Sequence, residues 1–427
     1  MSVLRVGLAG LGTVGGGVVK LLAENASVIS VRCGRDIRIT AASARTEAKI
    51  PAGVRWVADA RDLAKADDVD VVVEVIGGSD GIAKELVEAA LAAGKPVVTA
   101  NKALLARHGT ALAKLSEQHK SPLLWEAAVA GGIPVITGLR DGLSANHVRE
   151  VAGILNGTCN YILSTMTATG RDFADVLAEA QKLGYAEADP SFDVDGIDTA
   201  HKLALLAALA FGVAPDFGGV RVDGIRHVSA LDIRFAGELG YAVKLLAIAR
   251  QTAEGIEQRV QPCMVPAKSP LGSVGGPFNA VIAKADFADS ILWVGRGAGA
   301  EPTASAVVSD LVTLARGTKP QTFGIPSAHL GQSRALPPSA CMGRYYVRLM
   351  VDDRPGVIAE VTAILRDFRV SMESFLQHGR AEQGEAVPVV FTTHETTESS
   401  MLESLAQIEK LECVRQKPAL MRVLQSV

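Results

Sequence analysis

Residues 3–15, VLRVGLAGLGTVG, carry the pattern that decides the fold of the first part of the chain. The apolar run Val3–Ala9 is typical of a buried strand, and a helical pattern begins soon after it. Between them lie three glycines in the spacing G-x-G-x-x-G: Gly10, Gly12 and Gly15. In this setting the first allows a tight turn, the second lets the backbone approach a pyrophosphate, and the third permits close helix–strand packing. The stretch predicts a dinucleotide-binding Rossmann domain, with a glycine-rich structural turn as the alternative.

The region from residue 1 to 135 alternates short runs rich in Val, Ile and Leu with helical periods, which predicts a parallel sheet covered on both faces. The predicted strands are Val3–Ala9, Ile37–Ala42, Val69–Ile76, Val97–Ala100 and Leu123–Ala127. An acid that could hold a ribose 2′-hydroxyl is expected after the second strand, but Ser43-Ala44-Arg45 follows instead. Arg45 could pair with a 2′-phosphate, which favours NADP over NAD, or it could be an ordinary surface residue.

The remaining sequence divides into a central and a C-terminal part. Residues 136–325 mix strand and helix patterns and predict an α+β domain. Residues 326–343 are rich in Pro, Gly and Ser and predict a linker. Residues 344–427 follow the order βαββαβ, which suits a small, separately folding α+β module.

The composition excludes several classes of protein. The 427 residues are 48% hydrophobic and 21% charged, as in a globular protein. Only 4% are aromatic and the net charge is −3, so a nucleic-acid partner is not expected. The five cysteines are scattered without a CxxC pair, which argues against a disulfide framework or a zinc site and favours the reducing cytoplasm. No apolar run approaches the ~20 residues that span a bilayer, so no membrane partner is expected.

An acidic segment, GYAEADPSFDVDGIDTAHK at 184–202, precedes an apolar helix predicted over Leu203–Phe211 with Lys202 in its first turn. It holds five carboxylates, Glu187, Asp189, Asp193, Asp195 and Asp198. Acids this close repel one another unless a cation lies among them, and an amine-bearing substrate, a metal ion or Lys202 could be that cation. A solvated acidic loop with an ordinary helical Asp–Lys pair at i and i+4 is the alternative.

A second lysine, Lys102, follows the predicted strand end in the segment 99–102, TANK. Ligands bind at the carboxyl ends of parallel strands, so Lys102 could contact a substrate or the cofactor there. If Lys102 and Lys202 met across a domain cleft, each could lower the proton affinity of the other and poise one of them for proton transfer to a carbonyl oxygen. A nicotinamide would supply the hydride that an aldehyde reduction also needs.

Two further glycine-rich loops are candidates for ligand contacts. Residues 126–134, EAAVAGGIP, combine one carboxylate with backbone carbonyls and could hold a hard cation, or could be a plain turn. Residues 295–299, GRGAG, precede a helical pattern and could close on the cofactor, or could simply be flexible.

Six motifs, in order along the chain, extend these observations. They are GLGTVG at 10–15, TANK at 99–102, EAAVAGGIP at 126–134, LNGTCNYIL at 155–163, the acidic segment at 184–202 and GAGAEPTASAVVSD at 297–310. With them the chain resembles, over nearly its whole length, a homoserine dehydrogenase of the monofunctional bacterial type with a C-terminal ACT domain. The resemblance implies NAD(P)H-linked reduction of L-aspartate 4-semialdehyde to L-homoserine, on the route to threonine, methionine and isoleucine.

The resemblance also implies that residues 136–325 form the substrate-binding, catalytic and dimerisation domain, and that a helix at 303–320 packs back on residues 1–135. It implies a role for individual residues as well. Lys202 would donate the proton, Lys102 would assist at substrate and cofactor, and Glu187 and Asp198 would hold the substrate through its ammonium group. The implied cofactor residues are Gly10, Gly12, Thr13, Val14, Gly15, Arg45, Thr99, Lys102, Gly184 and Gly297. The implied sodium site consists of Glu126 with the backbone carbonyls of Val129, Gly131 and Ile133.

The run Tyr345–Val351 followed by DDRPGV at 352–357 resembles the opening of an ACT domain. Such modules pair side by side and bind amino acids at the interface, which implies a homodimer or homotetramer and feedback by threonine. A purely structural dimerisation module is the alternative for this part. For the whole chain, the alternatives are a nucleotide sensor without turnover and a reductase of another aldehyde or hydroxy acid.

Overall fold

The computed structural model describes residues 2–378 and 386–425, and its amino-terminal unit is built on a six-stranded sheet. This unit runs β1 (Val3–Ala9), α1 (Thr13–Glu24), α2 (Ala26–Cys33), β2 (Asp36–Ser43), β3 (Arg55–Trp56), β4 (Val71–Glu74), α3 (Ile82–Ala92), β5 (Val97–Thr99), α4 (Lys102–Gln118) and β6 (Leu123–Leu124). The strand order is β3-β2-β1-β4-β5-β6, and all neighbours are parallel. The predicted Rossmann-type sheet is therefore confirmed.

Successive residues of the central strands face opposite sides of this sheet, as the pleat requires. Val72 of β4 lies in a core that includes Leu86 of α3, whereas its neighbour Val73 lies in a second core with Val18 of α1. The second core also contains Val307, from a helix at Ala300–Ala315 late in the chain. That helix packs on α1, because an added Cβ at Gly17 would lie 2.6 Å from the Ala300 carbonyl oxygen. Strands β4 and β5, the third and fourth of the predicted strands, are thus buried on both faces, which explains their apolar sequence.

The central unit follows in mixed α/β order. Its elements are α5 (Val135–Thr137), β7 (Val148–Ile154), α6 (Gly157–Thr169), α7 (Phe173–Lys182), α8 (Ser191–Val194), α9 (Ile197–Phe211), β8 (Arg221–Val222), α10 (Ala230–Glu238), β9 (Tyr241–Gln251), β10 (Ile256–Pro266), β11 (Phe278–Ala285), β12 (Ser290–Arg296) and α11 (Ala300–Ala315). Strand β9 was not predicted, because a continuous apolar run buried on both faces has no period of two that separates it from a helix.

The C-terminal unit has the predicted βαββαβ order, with one very short additional strand. Its elements are β13 (Met342–Asp352), α12 (Val357–Asp367), β14 (Met372–Gln377), β15 (Ala386–Thr393), β16 (Thr396–Thr397), α13 (Glu398–Ile408) and β17 (Ala419–Val423). Residues 379–385 and 426–427 of the predicted module lie outside the described residues. Short 3-10 helices lie elsewhere in the chain at Glu47–Lys49, Ala60–Ala64, Glu126–Ala128, Ser327–His329 and Pro338–Ala340, and a π-helical turn at Gly138–Gly142.

The C-terminal unit shares its sheet with the central unit, which differs from the expected separate module. Strand β17 runs parallel to β10, with Cys263 opposite Arg422, so that one eleven-stranded sheet has the order β12-β11-β7-β9-β10-β17-β13-β15-β14 along its main path. The segment predicted as a linker also pairs with the central unit, because Gly331 bridges to Val213 and Ala335 to Ile256. The backbone groups at the edge of β10 are thus satisfied by the C-terminal unit.

Two local expectations were also wrong. The fifth predicted strand ends at Leu124, because the backbone N–H of Glu126 donates to the Asp310 carboxylate instead of continuing the ladder. Helix α9 begins at Ile197 and not at Leu203, after Gly196 in the left-handed region (φ 84°), so Lys202 lies in its second turn. Asp198 lies in the first turn, where the positive end of the helix dipole stabilises a carboxylate.

In the described ranges 2–378 and 386–425, no single helix has the length and apolar composition to cross a bilayer. Only α1 and α2 taken together do, and they are bent by 79° at the break between them.

Candidate active site

A cleft of about 580 Å³ separates the amino-terminal unit from the central unit. Its walls contain many of the residues singled out in the sequence: Thr13, Val14, Lys102, Gly131, Gly184, Asp198, Lys202 and Gly297. The first three come from the helix starts of α1 and α4, and the rest come from loops and helices beyond residue 130. The fold therefore brings the dinucleotide-binding turn, both lysines and the later glycine loops to one place.

The two lysines meet on one carboxylate. Lys202 Nζ lies 2.7 Å from Asp198 Oδ2, and Lys102 Nζ lies 3.0 Å from Asp198 Oδ1. Lys202 also donates to the carbonyl of Leu155 at 2.7 Å. Asp198 is only 4% exposed and Lys202 9%. Burial alone would raise the pKa of Asp198, but the ammonium groups of Lys202 and Lys102 outweigh it and hold that pKa well below its usual range. The sequence suggested that the two amines meet each other. In the structure they meet through Asp198, which pairs with both.

Asn156 and Asp193 complete this cluster. No role was predicted for Asn156, and Asp193 was predicted only as one of five acids that could surround a cation. Asn156 Nδ2 donates to Asp198 Oδ2 at 2.9 Å and to Asp193 Oδ1 at 2.7 Å. Its Oδ1 accepts from the Cys159 N–H at 2.9 Å and so caps helix α6. Burial and the charge of Asp198 raise the pKa of Asp193. The N-cap signal of Asn156 in LNGTC could have drawn attention to this residue.

The dinucleotide-binding turn has the geometry that its glycines predict. Gly10 has φ 105°, and an added Cβ there would lie 2.7 Å from the Val75 carbonyl oxygen. An added Cβ at Gly15 would lie 1.9 Å from the Gly10 carbonyl oxygen, whereas nothing lies within 4 Å of one at Gly12. The turn therefore packs tightly on the helix side and is open where a pyrophosphate would approach.

A second cavity, of about 730 Å³, lies beside this turn. Gly10, Gly12 and the exposed Arg45 line it, and so does Lys49, for which the sequence suggested no role. This places a cation after β2, where a 2′-phosphate is expected in the fold. The structure thus brings Arg45 to the same side as the glycine turn.

Thr99 and Glu187 do not lie where their predicted roles require. Thr99 is buried and lines neither cavity; its hydroxyl donates to Glu74 Oε2 at 2.6 Å and accepts from the Asn101 N–H at 3.0 Å, which holds the turn before Lys102. Glu187 is exposed on the acidic loop and does not line the cleft. Among the described residues, its one hydrogen bond is made by its backbone carbonyl, which accepts from the side-chain amide of Gln181.

The candidate cation site is built around a buried carboxylate. Glu126 is 2% exposed and accepts hydrogen bonds from the backbone N–H groups of Ile136 and Thr137, each at 2.8 Å, and from the Thr137 hydroxyl. Burial raises the pKa of Glu126. Burial and the neighbouring Glu126 raise the pKa of Asp310 to about 8. In the described residues Glu126 has no cationic partner within ion-pair distance, and no cluster of three His, Cys, Asp or Glu side chains could hold a metal.

The loop after Glu126 touches the second glycine loop. Ala130 and Gly131 both adopt left-handed conformations (φ 57° and 52°), and an added Cβ at Gly131 would lie 2.5 Å from the Gly297 carbonyl. Gly297 in turn packs on the side chain of Asn279, whose buried amide atoms have no hydrogen-bond partner. The sequence did not indicate Asn279, which lies within a strand pattern and far from the glycine loops in sequence.

Aromatic side chains cover the outer side of Lys102. Its Nζ lies 5.6 Å from the ring centre of Phe192, and His201 lies between Phe192 and Phe217, stacked on the latter at 4.1 Å. Burial and the charge of Lys102 lower the pKa of His201. His201 is therefore a packing residue on a different face of α9 from Lys202, as its position in the helix predicts.

Comparisons with known proteins agree with this architecture. Three family models match: the NAD-binding domain of homoserine dehydrogenase over residues 10–126, homoserine dehydrogenase over 134–312, and the ACT domain over 345–413. A homoserine dehydrogenase of Neisseria gonorrhoeae is 44% identical over 436 aligned residues, covering 100% of both chains. One of Pseudomonas aeruginosa is 45% identical and covers 97% of each chain.

Solved structures give the same result. A homoserine dehydrogenase from Thiobacillus denitrificans superposes with a TM-score of 0.93 at 43% identity, covering 100% of this chain and 99% of that one. A hyperthermophilic archaeal homoserine dehydrogenase solved in complex with NADPH has a TM-score of 0.63 at 25% identity and covers 73% of this chain and 97% of that one. The amino-terminal unit is thus an NAD(P)-binding domain and the C-terminal unit an ACT domain. The chain belongs to the homoserine dehydrogenase family of oxidoreductases.

Proposed function

We propose that the protein reduces L-aspartate 4-semialdehyde to L-homoserine with NADPH, and that Lys202 donates the proton to the aldehyde oxygen. The observation that carries this proposal is the hydrogen bonding of the Lys202 ammonium. Two of its three N–H groups are engaged, by Asp198 Oδ2 and by the Leu155 carbonyl, each at 2.7 Å. No described residue accepts a hydrogen bond from the third, so it can donate to an acceptor in the cleft such as a substrate carbonyl.

The charges around Lys202 suit this role. Asp198 and Leu155 orient the ammonium, and Asn156 holds Asp198 from the other side at 2.9 Å. When bound along the glycine turn, the nicotinamide supplies the hydride that the aldehyde carbon receives. The proton from Lys202 Nζ goes to the oxygen, and the product is an alcohol. Lys102 balances the charge of Asp198 and is positioned to contact the substrate or the cofactor.

The substrate's ammonium group is proposed to be held by the acids of the segment 184–202. Asp198 already pairs with two lysines, whereas the Asp193 carboxylate beside it accepts hydrogen bonds from Asn156 and Thr158 and forms no ion pair with a described residue. Asp193 is therefore a stronger candidate than the sequence suggested. The role of Glu187 stays a prediction that requires the exposed loop to move towards the cleft, and the contacts of Gly184 and Gly297 with the cofactor are proposed because both line the cleft.

A preference for NADPH over NADH is proposed on the position of Arg45. It lies beside the glycine turn together with Lys49, where two cations would suit a 2′-phosphate. The archaeal relative solved with NADPH supports the same preference by analogy.

A sodium ion is proposed near Glu126, with the carbonyls of Val129, Gly131 and Ile133. The donor set consists of oxygens, as a hard cation prefers. The fit is supported by a carboxylate that is almost fully buried and has no cation of the described residues within ion-pair distance, since nearby Arg140 pairs with Asp141. A bound cation would offset the cost of that burial. The ion would hold the Glu126–Ile133 loop, which contacts Gly297 of the glycine loop.

Three further properties belong to the proposal. A cytoplasmic location is favoured by five cysteines that are all buried and unpaired. A homodimer or homotetramer and an amino-acid effector, such as threonine, are proposed from the ACT domain. The domain boundaries after residues 135, 325 and 343 stay predictions. Strand β13 begins at Met342, within the last two residues of the segment proposed as a linker.

An assay of the purified protein tests the proposal. We expect oxidation of NADPH that depends on L-aspartate 4-semialdehyde, is slower with NADH at equal concentration, and is sensitive to threonine. Binding of NADPH without turnover would overturn the proposal and favour a nucleotide sensor. Turnover of other aldehydes but not of this one would place the protein among other reductases.

A further inference from the structure

The side chain of Asn279, on strand β11, lies directly behind the wall of the cleft. It is only 1% exposed and is not itself part of the wall. An added Cβ at Gly297 would lie 1.9 Å from Asn279 Nδ2, and an added Cβ at Gly157 would lie 3.7 Å from Asn279 Oδ1. Both glycines line the cleft. The amide of Asn279 thus packs against two residues of the cleft wall that have no side chain.

Neither polar atom of this amide has a hydrogen-bond partner in the described parts of the chain. Burial alone does not prevent pairing here: Asn160 is also 1% exposed, yet its Nδ2 donates to the carbonyls of Gly276 at 2.9 Å and Phe278 at 3.1 Å. A side-chain amide can donate two hydrogen bonds and accept two, and burying it unpaired is less favourable than burying an apolar side chain of the same shape. We therefore expect the Asn279 amide to find a partner in some state of the protein.

The loop at 296–299, which packs on Asn279, offers groups of the right kind. Beyond the ladder of β12, the peptide groups of Gly297 and Ala298 form no hydrogen bond with a described residue. A peptide group has one N–H and one carbonyl, which complement the two unpaired atoms of the Asn279 amide. On its other side the loop packs on Gly131, where an added Cβ would lie 2.5 Å from the Gly297 carbonyl. Complementary polar groups are thus in contact with one another and unpaired.

The position of the loop indicates which half of the cofactor it faces. All four residues of 296–299 line the cleft together with Lys102 and Lys202, and none of them lines the cavity that contains Arg45. The proposed site for the 2′-phosphate lies in that second cavity. The loop therefore faces the nicotinamide half, where the hydride is transferred.

We propose that Asn279 is a positioning residue, which hydrogen-bonds the peptide groups of Gly297 and Ala298 when the nicotinamide half of the cofactor binds in the cleft. This pairing removes the cost of the buried, unpaired amide, and the gain adds to the affinity for the cofactor. It also fixes the loop whose backbone contacts the cofactor. The inference rests on the proposed function, because it assigns Asn279 to the same cofactor site.

The substitution Asn279→Leu tests this, because it removes both polar atoms and keeps a side chain of similar size. Ser164→Ala is the matched control: its hydroxyl is also buried without a described partner, but it lies on α6 and outside the lining of the cleft. The full-length wild type and both variants are titrated calorimetrically with NADPH and with 2′-phospho-ADP-ribose, which lacks the nicotinamide ring. The melting temperature of each protein is measured without ligand.

We expect Asn279→Leu to bind NADPH roughly tenfold more weakly than the wild type, because hydrogen bonds formed on binding are lost. Its affinity for 2′-phospho-ADP-ribose should be that of the wild type. Without ligand it should melt at the wild-type temperature or higher, since an unpaired buried amide is removed, whereas a merely structural role of Asn279 would lower the melting temperature and leave the NADPH affinity unchanged. Ser164→Ala should bind both ligands as the wild type does.

Equal affinity for NADPH in the wild type and Asn279→Leu would overturn the inference, and so would an equal loss of affinity for both ligands. If Asn279→Leu folds poorly, Asn279→Ala, which needs less space, replaces it in the same titrations with the same expected affinities. Because binding is measured without turnover, a protein that binds NADPH but reduces no aldehyde would contradict only the proposed function. A wild type that does not bind NADPH would overturn both.

Discussion

The ammonium of Lys202 lies 2.7 Å from the carboxylate of Asp198, one turn earlier in helix α9, and both side chains are buried beneath the cleft. An isolated pair at this spacing contributes only about 0.2–0.5 kcal/mol to a helix. Here the pair is desolvated and is linked to Lys102 of the other unit at 3.0 Å. Loss of one member would leave an uncompensated buried charge, so the cluster is expected to govern both catalysis and the closure of the cleft.

Substitution of Lys202 by Ala should abolish turnover, by a factor of about 10³ or more, because the proton donor is lost. Binding of NADPH should stay nearly unchanged, since the glycine turn lies on the other unit. Steady-state kinetics and fluorescence titration with NADPH measure the two effects. The control Lys114→Ala, on the exposed side of α4, should change neither. Retained activity in Lys202→Ala would remove the proposed role.

Substitution of Arg45 by Ala should raise the KM for NADPH about tenfold and leave the KM for NADH unchanged, because only NADPH carries the 2′-phosphate. The comparison is made by initial rates with each cofactor. Arg38→Ala is the matched control, since Arg38 lies on β2, just before Arg45 in the chain, pairs with Asp36 and does not line the cavity of Arg45. An equal effect on both cofactors would show that Arg45 does not read the phosphate.

Sodium should stabilise the wild type relative to choline at equal ionic strength, and Glu126→Gln should lose this difference. At a sodium concentration ten times its Kd, the expected gain is about 1.4 kcal/mol in the free energy of unfolding. Urea unfolding in the two salts measures the gain without recourse to activity. A sodium effect of the same size in Glu126→Gln would place the ion, if any, elsewhere.

The buried Lys244 should make the stability depend on pH. Its ammonium donates to the Val274 carbonyl at 2.6 Å, and burial lowers its pKa to about 8. In the unfolded chain the pKa is about 10.4, so between these values the unfolded state binds more protons and stability rises with pH. The slope from this residue is at most about 1.4 kcal/mol per pH unit.

Unfolding of wild type and Lys244→Met between pH 7.5 and about 10 isolates this contribution, because other titrating groups are common to both. The wild type should gain stability relative to the variant as pH rises through the window. Parallel profiles would show that Lys244 is not responsible.

The substitution Gly15→Ala should destabilise the protein by at least about 2 kcal/mol and weaken NADPH binding, because the new Cβ would lie 1.9 Å from the Gly10 carbonyl oxygen. Gly16→Ala is the control in the same helix, where nothing lies within 4 Å of the added Cβ. It should be neutral or stabilising by about 0.5–1 kcal/mol, through better helix propensity. Thermal unfolding of both variants compares them, and equal losses would contradict the assigned packing.

Local sequence patterns were sufficient to predict several structural elements, because each of these elements depends on interactions between residues close in sequence. The turn at Gly10 and Gly12 needs a particular backbone shape and an open approach, which only glycine provides at that spacing. The pairing of Asp198 with Lys202 follows from the helical period. The βαββαβ order of the last part follows from alternating apolar periods and turn residues. Such features depend on neighbours within a few residues.

Tertiary structure alone decided how these elements meet. It placed Asp198 between Lys202 and Lys102, added Asn156 as a positioning residue, left Glu187 exposed and joined β17 to β10. The contacts of Asp198 with Lys102 and Asn156, and of β17 with β10, link segments far apart in sequence. No periodic pattern specifies which distant segment a strand edge or a buried charge will contact. The site therefore depends on long-range packing and desolvation. The sequence of residues 3–15, by contrast, was sufficient to determine the glycine turn between β1 and α1.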